Sequence, residues 1–101
     1  MFSVVYISSR DMNEAKMIAK TLVEERLIAC ANYYPISSTF RWEGDIEEDN
    51  EVAIICKTTT EKVHDIIDRV KQLHSYEVPC ITSWKIDEGY PGYLEWVKKE
   101  T

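Results

Sequence analysis

Apolar and polar positions alternate along this chain in two rhythms, one of period two and one of period near 3.6, and the switches between them mark the elements. Positions 3–7, Ser-Val-Val-Tyr-Ile, are β-rich and end at Ser8-Ser9-Arg10-Asp11, a polar cluster that stops a strand and caps the helix after it. Ala15, Ile18, Ala19, Leu22 and Val23 then recur at helical spacing, which predicts an amphipathic helix over 11–26. Two long apolar stretches follow, 29–42 and 46–57, joined only at Glu43-Gly44-Asp45, with Gly44 supplying the residue that tolerates positive φ. In the second of them Val52, Ile54 and Cys56 alternate with Ala53, Ile55 and Lys57, so both faces are apolar near its end, as in a central strand.

Thr58-x-x-Glu61 reads as a capping box, and Val63, Ile66, Ile67, Val70 and Leu73 form the stripe of a second helix ending near His74. Tyr76-Glu77-Val78-Pro79 leads in extended form into a fourth strand through Ile86, because a residue before proline avoids the α region. Gly89, Pro91 and Gly92 break the chain before a short helix carrying Tyr90, Tyr93, Leu94 and Val97 on one side. The predicted order is βαββαβ plus a terminal helix. It implies an α+β, ferredoxin-like antiparallel sheet with both main helices on one face and a single domain over 1–101.

Length sharpens this picture. Arms of about 12 residues reach ~40 Å, whereas helices of about 15 residues cover only ~23 Å. Some 15–20 Å of hairpin should therefore overhang (~3.3 Å per residue), carrying Phe40, Trp42 and, nearer its root, Tyr34 beside exposed strand edges that invite pairing. An obligate oligomer is expected, unless a bulge near Pro35 folds the hairpin back onto its own domain.

Composition narrows the function classes. The chain is 45% hydrophobic and 30% charged, as in ordinary globular proteins, and no run approaches the ~18 apolar residues of a membrane span. The first seven residues lack a basic region and a cleavage site, so they read as a strand and the expected compartment is the cytoplasm. A net charge of −6 repels phosphate backbones, which argues against nucleic acid as a partner and is compatible with cations. Cys30, Cys56 and Cys80 are odd in number and widely spaced, fitting neither a disulfide framework nor a C-x-x-C zinc pair.

Several residues carry candidate chemistry, each beside a plainer role. The three thiols would make a soft Cu(I)-type site if their strands brought them together; otherwise they are small buried hydrophobes. His64 flanks the second helix's stripe and reads as solvated. Asp45, Glu47, Asp49 and Glu51 alternate along one strand, either as a solvated edge that discourages aggregation or as a weak cation-attracting face shared by several chains. Lys57, just before Thr58-Thr59-Thr60 and a helix start, suggests an anion site, or else a capped helix with Lys57 paired to Glu51 or another carboxylate.

The segments Glu25-Arg26-Leu27-Ile28-Ala29-Cys30-Ala31-Asn32, Trp42-Glu43-Gly44 with Glu51, Lys57-Thr58-Thr59, His74-Ser75-Tyr76-Glu77-Val78-Pro79 and Tyr93-Leu94-Glu95-Trp96 together resemble the CutA family of divalent-cation-tolerance proteins, over almost the whole chain. The resemblance implies a ferredoxin-like homotrimer, similar in plan to the PII signalling proteins, whose long hairpins pair between subunits. It implies a non-enzymatic binding or regulatory protein connected with metal tolerance, with weak binding of copper or a similar divalent ion and no organic cofactor. A mammalian branch is linked to acetylcholinesterase anchoring, so a scaffold role belongs to the same resemblance.

In copper-binding relatives the candidate ligands fall at positions that read Ile7, Leu73 and His74 here, leaving His74 as the metal candidate, or else as an imidazolium at a helix C-terminus. The family's cleft between subunits places Cys30, Asn32, Trp42, Glu51, Lys57 and Tyr76 around a pocket for a small molecule or ion, an anionic effector among them. Two other functions fit the fold class less well. An acylphosphatase needs an arginine near the first helix and an asparagine; Arg10 and Asn50 supply the types, but the glycine-rich loop is missing. RNA binding by the sheet would need aromatics where Val52, Ile54 and Cys56 stand.

Overall fold

Local chemistry starts and stops each element. The computed structural model describes residues 1–101. Strand β1 (Phe2–Ser9) gives way to helix α1 (Met12–Glu24) at Asp11, whose carboxylate accepts the Glu14 N–H at 2.8 Å. Glu14 reaches back to the Arg10 N–H at 2.8 Å, so Asp11 and Glu14 together satisfy orphan amides in the manner of a capping box. The helix stops two residues short of the expected Arg26, which instead adopts φ 58°. Arg26 N–H then bonds Val23 O at 3.0 Å and Leu27 N–H bonds Leu22 O at 2.9 Å, a Schellman closure with arginine where glycine is usual.

Strands β2 (Cys30–Trp42) and β3 (Asp45–Thr59) form the long hairpin. Its turn is two residues, Glu43 at φ 50° and Gly44 at φ 88°, both left-handed as the turn matching strand twist requires. Pairing runs unbroken from Trp42–Asp45 down to Cys30–Lys57, so no bulge forms near Pro35. Pro35 is tolerated because β2 lies at the sheet edge.

The predicted capping box at Thr58 does not form. β3 continues through Thr59, and the Thr58 hydroxyl points inward to donate to Leu27 O at 2.6 Å; a 3-10 turn, Thr60–Lys62, then leads into helix α2 (Val63–Leu73). Strand β4 (Ile81–Lys85) is shorter than the expected run through Ile86. Helix α3 (Pro91–Glu100) takes Pro91 into its first turn, where the missing N–H costs nothing, instead of being preceded by it.

The sheet is antiparallel in order β2-β3-β1-β4, the ferredoxin-like plan. Val5 and Ile7 of β1 and Val52, Ile54 and Cys56 of β3 meet Ala15, Ile18 and Leu22 of α1 and Val63, Ile66 and Val70 of α2 in one core. Each buried Leu or Ile side chain there contributes about 1.5–3 kcal/mol by leaving water. The opposite face of β3 and β1 is covered only in part: Ala53 and Val4 are buried, as is Val97 of α3, which packs beside β3. β2 and β3 have 13 and 15 residues, α1 only 13. The molecule is accordingly 45 Å long but 25 and 22 Å across, and every residue from Thr39 to Asn50 is exposed.

Candidate functional site

Strand register decides what meets on the face turned away from the main core. Ile36 stands opposite Glu51, Ser38 opposite Asp49, Phe40 opposite Glu47 and Trp42 opposite Asp45. Alternation sends all of these to one side, where an apolar row on β2 runs beside an acidic row on β3. At the root of the overhang this surface becomes a cleft of about 490 Å³. β2 contributes Ile36, Ser38, Phe40 and Trp42, β3 contributes Asp49 and Glu51, and β1 contributes Tyr6 and Ser8. Tyr76, Glu77, Val78 and Cys80, from the segment between α2 and β4, make the remaining wall.

That wall is pinned from behind. Glu14 is buried, accepting the Arg10 N–H through Oε1 and the Ser75 N–H through Oε2, both at 2.8 Å. Burial pushes its carboxyl up, but the bonds from Arg10 and Ser75, with His74 nearby, outweigh that and hold it below the usual carboxylate range. His74 closes α2 with no exposed side-chain surface. Its Nε2–H donates to Ser8 O at 2.7 Å, its Nδ1 accepts the Tyr76 N–H at 3.1 Å, and its ring lies 4.8 Å from that of Tyr76. Tyr76, so held, donates its hydroxyl to Glu51 Oε2 at 2.7 Å. Burial and then the Glu51 carboxylate push the Tyr76 phenol well above its ordinary value, so it stays a donor at any physiological pH. Burial, with Cys80 and Glu51 close by, raises Tyr6 as well.

This arrangement gives His74 a structural part, holding the loop after α2. Both ring nitrogens have backbone partners, Nε2 at Ser8 O and Nδ1 at the Tyr76 N–H, which leaves neither free for a metal ion in this conformation. The thiols do not converge either. Cys56 lies in the core, Cys30 faces the other side beside Lys57, and Cys80 sits at the far end by Ser8. Burial raises the Cys56 thiol to about 12, consistent with an inert core residue. No three His, Cys, Asp or Glu side chains of one chain gather as metal ligands, the alternating carboxylates of β3 included. His64 is exposed, as expected.

The six residues expected around one pocket divide into two groups. Trp42, Glu51 and Tyr76 line the cleft. Cys30, Asn32 and Lys57 sit at the opposite end of the sheet, where the Cys30 Sγ is 3.0 Å from the Tyr93 hydroxyl of α3. Burial and the Cys30 contact push that phenol up to about 12. Lys57 is six residues from Glu51 along β3, ~20 Å at ~3.3 Å per residue, so the expected ion pair between them does not exist within one chain. Tyr6, Ile36, Val78 and the supporting Glu14 were not singled out from sequence, and Cys80 only as one of the three thiols. The two-residue turn is the signal that would have found Ile36, because it alone sets which β2 residue faces Glu51.

Comparison with known proteins agrees with this architecture throughout. The divalent-cation tolerance protein CutA of Archaeoglobus fulgidus is 44% identical over 97 residues, spanning 96% of this chain and 95% of that protein. The Thermus thermophilus protein of the same description is 44% identical over 102 residues, spanning 100% and 99%. A solved structure described as the periplasmic divalent cation tolerance protein CutA from Archaeoglobus fulgidus superposes with TM-score 0.98 at 43% identity, covering 99% of this chain and 98% of that one. The profile of the family described as CutA1 divalent ion tolerance protein matches residues 3–100, and the chain belongs to that family.

Proposed function

We propose that this chain is a non-enzymatic, homotrimeric binding protein of divalent-cation tolerance, whose functional cleft lies on the bare face of its long hairpin. The observation that carries the reading is the overhang itself. Phe40, Trp42 and Ile46 are 41%, 42% and 66% exposed on a paired ladder that no helix of the same chain covers. Such a two-stranded ribbon is marginal alone and an edge open to pairing. Sister chains supply both the cover and the missing edge partner.

Assembly also gives the divided residues a way to meet, with Cys30, Asn32 and Lys57 of one copy approaching Trp42, Glu51 and Tyr76 of the next. The metal-tolerance role is supported by the descriptions of the relatives. A divalent ion such as copper does not fit a site within one chain, because the donors do not converge, so weak binding would draw on more than one copy. An acylphosphatase reading is disfavoured by Arg10, whose Nε bonds Asp11 at 3.3 Å, and by Asn50, which lies out on the overhang. The compartment we favour is the cytoplasm, supported by three unpaired cysteines; the Archaeoglobus neighbour is described as periplasmic.

Native mass spectrometry with added Cu(II) or Zn(II) tests the functional part. The expected result is metal uptake by the assembly only, undiminished in His74→Ala. Uptake by dissociated single chains, or its loss in His74→Ala, would contradict it, and turnover of an acyl phosphate would restore the enzyme.

A further inference from the structure

We propose that His74 is an acid-operated latch: on gaining a proton its ring lets go of Tyr76 and turns to Glu14, freeing the segment from Tyr76 to Cys80 at the root of the hairpin. Its working parts lie within one chain and behind the cleft, so it needs neither a metal ion nor an open pocket.

The ring is set between one partner that can only accept and one that can only donate. No side-chain surface of His74 is exposed. Ser8 O lies 2.7 Å from Nε2, and the Tyr76 N–H donates to Nδ1 at 3.1 Å. Read from these partners, Nε2 carries a hydrogen and Nδ1 is bare. A second proton has only Nδ1 to go to. There it would point at the Tyr76 N–H, so the charged ring and that bond exclude each other. Imidazole is the side chain that makes this change between roughly pH 8 and 5.

The charged ring has a place to go. Glu14 Oε1 is 4.0 Å from Nδ1, the one carboxylate within that distance, and a charge-assisted bond of ~2.7–2.9 Å needs a shift of roughly 1 Å. Burial disfavours the charge on Glu14, but the bonds from the Arg10 and Ser75 amides outweigh this and keep it an anion. The other charged and titratable groups around the ring are engaged or turned away. The Arg10 guanidinium, just after β1, bonds Asp11 at 3.3 Å. Glu51 and Asp49 of β3 act on the neighbouring Tyr76, Glu77 and Cys80 line the outer side of the segment, and Lys71 on α2 itself is exposed. Ser75 stays tied to Glu14 Oε2 at 2.8 Å, so the chain hinges there. The stretch beyond it keeps only the Tyr76 hydroxyl on Glu51 and a long bond, 3.4 Å, from the Ser8 N–H to Cys80 O.

Amide exchange of the assembled protein, followed by NMR from about pH 8 to about pH 5 and corrected for the intrinsic rate, tests this beside the ring signals of His74 and the exposed His64. The Tyr76 amide should lose protection by roughly 5–10-fold, the worth of one hydrogen bond, in step with proton uptake by His74, while the Val5 amide of β1 stays unchanged. His74→Gln, which cannot take up a proton, should abolish this pH dependence. Glu14→Gln should move it to lower pH by removing the acceptor for the charged ring, and His64→Gln should leave it as it is. Tyr76 protection that stays constant while His74 gains its proton, a His74 ring still uncharged at the acid end, or the same pH dependence in His74→Gln would each overturn the latch. Titration of the parent protein decides the first two even if the variants fail to fold.

Discussion

The two halves of β3 share one ladder and one register, yet they live in different surroundings. From Val52 to Lys57 the strand is central, flanked by β1 and β2, with its core face packed under α1 and α2. From Asp45 to Asn50 it pairs only with β2, and all six residues are exposed. Hydrogen bonding and turn geometry are sufficient to define the outer half, but they remove little apolar surface from water, and apolar burial stabilises a fold more than its net hydrogen bonding does. The inner half is therefore stabilised by its own chain, and the outer half depends on what covers it.

Substitutions should separate these dependences. Ile54→Ala empties a fully buried position in the inner half and should cost about 2–5 kcal/mol of unfolding free energy, read from urea titration, with the subunit count unchanged. Glu14→Gln comes next, about 1–3 kcal/mol, because one of two buried amides loses its charged acceptor. The same substitution should alter the response to acid. A carboxyl held below the ordinary range stabilises fully above the unfolded value of ~4.3 and loses that contribution as pH falls through the folded value. Acid unfolding of Glu14→Gln should accordingly be shallower than that of the parent.

On the outer half the readout changes. Trp42→Ala should leave the fold of a single chain intact but weaken assembly by ~10-fold or more in a dilution series, as truncation of an aromatic interface anchor does. The smallest effects compare one kind of backbone strain in both regions. Arg26→Gly at the end of α1 and Glu43→Asn in the hairpin turn each relieve a left-handed residue and should gain about 1 kcal/mol or less. A gain at Arg26 without one at Glu43, by thermal unfolding, would show that the tip does not limit stability.

Much of the fold is legible in the sequence where a period is strong. The stripes of α1 and α2, the doubly apolar end of β3 and the hairpin's excess length all follow from residue spacing. Local competition is what spacing leaves undecided. Thr58-x-x-Glu61 and Asp11-x-x-Glu14 both have capping-box spacing, and only tertiary contact chooses between them, because Thr58 is needed inside to bond Leu27 O. The site is half legible for a similar reason. Glu51, Tyr76 and Trp42 come together because of register and a pinned loop, whereas Cys30, Asn32 and Lys57 share a face with Glu51 but not a location on it. His74 looks like a ligand by residue type, and its two backbone bonds become visible only in three dimensions.

Sedimentation velocity of the unmodified protein over a wide dilution range tests most directly whether sister chains cover the outer hairpin. The prediction is one species of three chains, each of 11.8 kDa, persisting to low concentration, with dissociation appearing first in Trp42→Ala. A stable 11.8 kDa species across the range would contradict it.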